Sequence, residues 1–351
     1  LSERVAQVLR RAACAALLLS ALLALPSTGH ACKFVPTPWD ELRAGWARGC
    51  GHALCGRVVA TRPREATGSS CDGEQPRLDL QRDIAAAQIV LLGEVHDNPE
   101  HHRFRAELLR ERRTPFGAVF EQFRSDQSQA LATFQALKKS VPASGDLAEL
   151  KRLTDWDKSG WAKGGYDPLL EAAIKAGLPI YAADPARETI KKVAKHGDAV
   201  LPDDELKRLG LDKPLPEPSQ EALLDQLEQS HCGLMPKTAF GNLAFAQRYR
   251  DAHQSDAVLK AAQGHGSAVL LAGNGHVRKD RGVPYYLKQR APDKKVVSVM
   301  LIEVEDGKTD PEAYVERGPG GEPTADYVVF TPRAERPDPC EEMRKVMKSR
   351  N

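Results

Sequence analysis

Net charge is almost absent from this chain: 50 Lys and Arg stand against 48 Asp and Glu. That balance excludes the broad basic surface of a nucleic-acid binder or of a generic membrane-surface protein, so any ligand is selected locally. A hydrophobic run long enough to cross a bilayer is missing too. The apolar stretch from Ala12 to Leu25 falls short of the roughly 20 residues a span requires. The Cys-x-x-Cys-His attachment of c-type haem does not occur, and Cys50 and Cys55 have no second close pair, which argues against structural zinc. There are no internal repeats, and the only biased tract is the Gly and Pro run near Gly318 to Pro323. With 351 residues, 41% hydrophobic and 28% charged, the chain has material for one large domain or two small ones.

Arg4, Arg10 and Arg11 precede the apolar stretch, and Pro26, Ser27 and Thr28 follow it, which is the pattern of a secretory signal. Gly29 and Ala31 put small residues where a signal peptidase reads, so residues 1–31 are expected to be removed and the mature chain to begin at Cys32. Export to the periplasm is thus predicted. Whether Cys32 carries a lipid tether stays open, because Thr28 and His30 make a poor lipobox. Cys14 lies inside the signal, while Cys32, Cys50, Cys55 and Cys71 crowd into a Gly-, Arg- and Pro-rich segment. In an oxidising compartment they predict one or two disulfides tying down a poorly packed lead-in, residues 32–77, with connectivity open; Cys232 and Cys340 are distant.

The chain then alternates strand and helix signals. Strands are expected at Gly56 to Thr61, Ile89 to Leu92, Pro115 to Phe120, Leu178 to Ala183, Ala268 to Ala272, Lys295 to Glu305 and Asp326 to Thr331. Helices are expected from about Arg77 through Ala87, from Pro99 to Arg113 behind an Asn98 cap, from Ser125 to Lys139, Pro168 to Lys175, Ser219 to Gln229 and Thr238 to Gln263. Residues 196–218, rich in proline and charge, read as a surface excursion. The alternation predicts a three-layer α/β domain over 78–342, with a mainly parallel sheet, helices on both faces, the Cys-rich lead-in before it and a tail at 343–351.

Two of the short apolar runs close on Gly-x-x-His turns, Gly93-Glu94-Val95-His96 and Gly273-Asn274-Gly275-His276. Polar groups at the carboxyl ends of parallel strands converge on the edge where such sheets bind ligands. Glu94, His96, Glu121, Gln122, Asp184, Arg187, Asn274 and His276 are therefore expected around one pocket, with His101 and His102 on the first turn of the helix after Asn98. Imidazoles with carboxylates suit a divalent metal with an open position, or equally a metal-free base and its orienting acid. Each turn taken alone also reads as a helix cap. Trp156, Trp161, Phe116, Phe120 and Phe123 read as packing residues.

The segment from Leu91 to His102 resembles the signature of the ChaN-type haem-binding lipoprotein family, within the haem-uptake and Tiki superfamily. Further blocks are similar in the same order: Gly160-Trp161 with Tyr166-Asp167-Pro168-Leu169, His231-Cys232-Gly233 with Pro236, Ala246-Gln247 with Arg250-Asp251, Leu271 to Arg278 with Asp280 and Gly282-Val283-Pro284, and Asp326 to Cys340. Where the family has a methionine and a small residue after Asp251, this chain has His253, Gln254 and Ser255. The resemblance implies a protein that binds ferric haem, as a homodimer enclosing haems face to face, with a tyrosine on iron and with outer-membrane or periplasmic uptake components as partners. Carried onto this sequence, the tyrosine is Tyr166 first, then Tyr249, Tyr285 or Tyr286; His96, Asn274 and His276 belong to the same site. Arg278, Arg187, His101 and His102 are the groups for the propionates. The same resemblance leaves an enzyme reading open, because Tiki-type and erythromycin-esterase-type relatives use paired Gly-x-x-His turns for hydrolysis. Glu94, His96, Glu121 and His276 would then hold Mn, Co or Zn, and a structural lipoprotein retaining the pocket as a relic is a third possibility.

Overall fold

The structure, a computed structural model, describes residues 36–62, 73–112, 114–141 and 145–348. The expected signal peptide, Cys32 and Cys71 lie outside the described residues. Seven strands form one sheet: β1 Val58–Ala60, β2 Ile89–Leu92, β3 Gly117–Arg124, β4 Ile180–Asp184, β5 Ala268–Leu271, β6 Val296–Glu303 and β7 Tyr327–Thr331. Their order is β1-β7-β6-β2-β5-β3-β4, and every pair is parallel except β1 with β7. All four residues of β2 and of β5 are buried, as continuous apolar runs require in strands covered on both faces.

Successive side chains feed two separate cores. Val90, Leu92, Val269 and Leu271 join one apolar cluster, whereas Ile89, Leu91, Ala268 and Leu270 join the other. Phe104 and Leu109 of α3 (Pro99–Glu111), with Leu169 and Leu170 of α6 (Asp167–Lys175), cover the first. Val258, Ala261 and Ala262 of the long α10 (Phe240–His265) cover the second. Each fully buried large aliphatic side chain contributes about 1.5–3 kcal/mol, so this double burial specifies the three layers.

The topology explains where a ligand belongs. From β2 the chain passes through α3 to β3 on one side, and from β5 through α11 (Val283–Arg290) to β6 on the other. β2 and β5 lie side by side with Leu92 opposite Leu271, so both Gly-x-x-His turns leave the sheet together at the point where the connections diverge.

The structure departs from the sequence reading in four places. β3 runs on to Arg124 instead of stopping at Phe120, and an irregularity between these two residues lets Glu121 leave the regular register with β4. The lead-in is not poorly packed: α1 (Pro38–Gly49) buries Trp39 and Trp46 against Phe104, at ring distances of 5.3 and 5.7 Å. Residues 196–218 do not form a bare excursion, because Leu201, Leu209, Leu211 and Leu215 are buried around α8 (Asp203–Leu209), where Leu201, Leu209 and Leu211 share a cluster with α10 residues Ala246 and Tyr249. The expected tail contains the end of α12 (Pro339–Lys348).

Cys50 bonds Cys55 within the lead-in, and Cys232 bonds Cys340 across 108 residues of sequence. A cross-link closing so long a loop is worth up to about 4–5 kcal/mol through the unfolded chain. Cys340→Ser is therefore expected to cost about 2–5 kcal/mol in non-reducing urea unfolding. Equal stability of variant and wild type would show that this bond does not form or does not matter.

Candidate functional site

Close backbone approach builds the site. A β-carbon on Gly93 would collide with the Asn274 and Val277 side chains, and one on Gly273 would fall 2.8 Å from His96 Nε2. Glycine is thus required at both turns for the two loops to nest. The Asn274 amide donates to the Glu94 carbonyl at 2.9 Å, joining the turns directly.

Behind the turns, α3 is capped as its sequence predicts: the Asn98 side chain accepts from Glu100 N at 2.9 Å, and Pro99 occupies the first turn. His101 and His102 do not point into the pocket. Both are fully buried. His101 Nδ1 accepts from Val95 N at 2.8 Å and its Nε2 bonds Thr331 Oγ1 at 2.7 Å, which fixes the first turn from below. Burial pushes the His101 imidazole down to about 3 and that of His102 to about 4, so both are neutral supports. Neither can meet a propionate. Arg187 is exposed outside the site, and Arg278 is tied to Asp280 and Glu316 beside an adjoining cavity of about 580 Å³.

Two charged groups form the floor. Glu94 is buried and paired with Arg105 of α3; it also receives His96 Nδ1 at 2.9 Å, the Tyr166 hydroxyl at 2.8 Å and Gln122 Nε2 at 3.1 Å. Beside it, Glu121 accepts from Gly273 N and from Arg250 Nη2, each at 2.7 Å, and lies 3.2 Å from His276 Nε2. Arg250 also reaches Asp184 at 2.7 Å, and His276 Nδ1 bonds Asp251 at 2.6 Å. Burial alone would discharge His276, but the charges of Glu121 and Asp251 outweigh it and hold the imidazolium up to about 10. For Glu121, burial opposes ionisation, yet His276 and Arg250 keep its carboxyl well below the usual range.

His96 contrasts with its partner. Desolvation lowers its pKa, leaving a neutral ring with the proton on Nδ1 toward Glu94. Its side chain is 43% exposed, Trp161 packs edge-on at 4.9 Å, and Nε2 has no hydrogen-bond partner among the described residues, Glu121 Oε1 lying 3.9 Å away. His96 lines a cleft of about 700 Å³ that Leu223, Leu227 and Pro339 also line. That volume is in the range of small-molecule and cofactor sites.

His96, Glu94, Glu121, Asn274 and His276 therefore share one cleft. Tyr166 does not line it. Its ring is 1% exposed, stacked on His102 at 4.1 Å, and desolvation raises its pKa above the ordinary tyrosine value, so the phenol stays protonated and bound to Glu94. In this structure the Tyr166 hydroxyl, the first candidate for iron, is held by Glu94 behind the cleft. Of the other candidate tyrosines, Tyr249 donates to Glu205, Tyr286 is buried against Arg248, and Tyr285 packs among apolar side chains. Glu94 is held by its donors and His276 lies between Glu121 and Asp251; among the described residues no group of three or more His, Cys, Asp or Glu side chains is placed to hold a metal ion.

Gln247, Arg250 and Asp251 of α10, and Arg105 of α3, were not singled out for these roles by the sequence reading. A signal existed in the polar stripe Gln247, Arg250, Asp251 and Gln254, spaced for one helix face.

The His276 pair predicts a pH effect. Its folded pKa lies above the unfolded value near 6.5, so its stabilisation is complete below pH 6.5 and declines as pH rises toward 10. Wild-type stability is expected to fall over this window with a slope approaching 1.4 kcal/mol per pH unit (roughly, the single-group limit), and His276→Gln to remove that component. Urea midpoints between pH 6 and 10 test this; parallel profiles would contradict it.

A mainly parallel α/β sheet with paired Gly-x-x-His turns at one carboxyl edge defines the class of protein. A model of the family described as haem-binding uptake, Tiki superfamily, ChaN, matches residues 80–287, and the chain belongs to that family. Among solved structures, ChaN of Campylobacter jejuni, described with cofacial haem binding, is similar over 77% of this chain and 94% of its own, at 22% identity and TM-score 0.53. The erythromycin esterase EreC, a mutant in an open conformation, aligns over 81% of this chain and 99% of its own, at 14% identity and TM-score 0.43. No curated protein sequence matches.

Proposed function

We propose that this chain is an exported haem-binding protein serving haem or iron uptake or storage, and that His96 is the side chain that holds the iron. The observation that carries this reading is a partly exposed, neutral histidine whose Nε2 makes no hydrogen bond among the described residues, at a cleft with an apolar wall. Neutral imidazole suits iron, and the carboxylate on its far nitrogen fixes the tautomer that leaves Nε2 open. Family membership and the similarity to a ChaN described with haem support the ligand class. When bound, haem supplies an iron centre for ligand exchange or electron transfer.

On the floor, Glu121 and Asp251 meet Arg250 and protonated His276, and Arg281 also lines the cleft. Leu223, Leu227 and Pro339 would cover an apolar macrocycle, and the disulfide at Cys340 keeps Pro339 in place. Export rests on the sequence of residues 1–31, and a homodimer and uptake components belong to the proposal as the family's expected partners. Haemin titration of the mature protein tests the reading. A saturable Soret shift at one haem per chain is expected; no shift at micromolar haemin would overturn it.

A further inference from the structure

One wall of the cleft comes from a single face of α9 (Glu217–Ser230), where Leu223, Gln226, Leu227 and Ser230 recur at helical spacing, and from Pro339. Pro339 belongs to a segment, residues 332–345, in which no residue is buried. Polar and covalent ties hold that segment instead. Near the site, Arg336 pairs with Glu303 and with Asp97, the neighbour of His96, each at 2.8 Å. Further on, Cys340 bonds Cys232, just past the end of α9. The segment therefore runs along the cleft as a strap, from the turn that carries His96, past Pro339, to the helix that supplies the wall. Its far anchor is an unfavourable one: Cys232 has φ 56°, in the left-handed region that residues with a β-carbon seldom adopt. A segment without apolar burial opens at low free energy once a tie is lost.

We propose that this strap is a redox latch on the cleft: with the Cys232–Cys340 bond closed it holds Pro339 beside the end of α9, and reduction of that bond by a dithiol protein frees the strap and opens the cleft to a ligand entering or leaving. A thiolate of the dithiol attacks one sulfur of the pair and forms a mixed disulfide, while the other cysteine leaves as a thiolate and takes up a proton. The second thiol of the dithiol then loses its proton, attacks the mixed disulfide and releases the first cysteine. Two electrons and two protons thus pass to Cys232 and Cys340, and the dithiol ends as its own disulfide. Cys232 and Cys340 are both partly exposed, whereas Cys55 of the other described bond is buried, so the latch is the bond that an external dithiol reaches. After reduction the strap keeps its Arg336 pairs, but Asp97 is exposed and holds it weakly. Only the consequence for haem rests on the haem reading above; the latch belongs to the ligand-free protein.

Amide hydrogen exchange of the full mature chain, free of haem, before and after dithiothreitol tests the latch. The amides of α12 and of the last turn of α9 are expected to exchange roughly 10-fold or more faster after reduction, while those of β2 and β5 are unchanged. Reduction acts on protein already folded, so no variant has to fold for this readout. Cys340→Ser is expected to exchange fast at both places with no further response to dithiothreitol, which separates this bond from Cys50–Cys55. Diethyl pyrocarbonate, which acylates neutral imidazole, reads the cleft itself and is expected to modify His96 several-fold faster after reduction. Exchange or modification unmoved by dithiothreitol would overturn the proposal, as would faster exchange confined to α12, which is a frayed end and not an opened wall. Haemin is expected to leave Cys340→Ser about 10-fold faster than it leaves oxidised wild type, and equal rates would overturn the latch even though haem binds. A wild type that binds no haemin yet shows both changes on reduction would overturn the haem reading and leave the latch supported.

Discussion

His96→Ala is expected to weaken haemin binding by more than about 100-fold, beyond the 10–100-fold that loss of an outer hydrogen-bonding partner causes. The argument is one of supply: His96 Nε2 is a free, neutral nitrogen on the cleft, whereas His276 is an imidazolium held by Glu121 and Asp251. His101 and His102 are buried behind the turn and cannot replace it. Tyr166→Phe, which removes a hydroxyl bound to Glu94 and 3.3 Å from His96 Nδ1, is expected to change affinity by no more than about 10-fold. Absorbance titrations at fixed pH measure both, and an unaltered affinity for His96→Ala would remove that residue from the iron.

Arg105→Met is expected to destabilise the fold by about 3–5 kcal/mol, because it leaves the buried carboxylate of Glu94 without its cation. Methionine roughly fills the volume of the stem, so the cost falls on the charge. Tyr166, Gln122 and His96 still donate to Glu94, but none is charged to balance it. Adding Glu94→Gln should recover part of the loss, since the two residues share one interaction and their effects are not additive. Urea unfolding of the two single variants and the double variant measures the coupling. A loss under about 1 kcal/mol for Arg105→Met would mean that the pair behaves like a solvent-exposed one.

The two turns were legible because their chemistry is local. A run such as Ile89-Val90-Leu91-Leu92 has the composition of a doubly covered strand, and a glycine after it permits the turn whatever the rest of the chain does. That β2 and β5 are neighbours is a non-local fact, and the inference rested on the general behaviour of parallel sheets. Side-chain direction was less accessible. First-turn helix residues are commonly exposed, yet His101 and His102 are covered because β7 brings Thr331 against one and Gly165 and Tyr166 lie against the other. Glu121 was found at the wrong strand position but in the right cleft, since the irregularity in β3 has no marker in composition. The α10 stripe was the larger omission. A helix reads as helical from either face, and only tertiary packing turned Arg250 and Asp251 inward.

Whether histidine or tyrosine meets the iron is decided most directly by the absorption spectrum of the ferric haem-loaded protein, recorded for wild type and Tyr166→Phe together. Since Nε2 of His96 is free and the Tyr166 hydroxyl is bound to Glu94, both proteins are expected to show the same imidazole-type spectrum. A tyrosinate charge-transfer band in wild type that disappears in Tyr166→Phe would contradict the assignment.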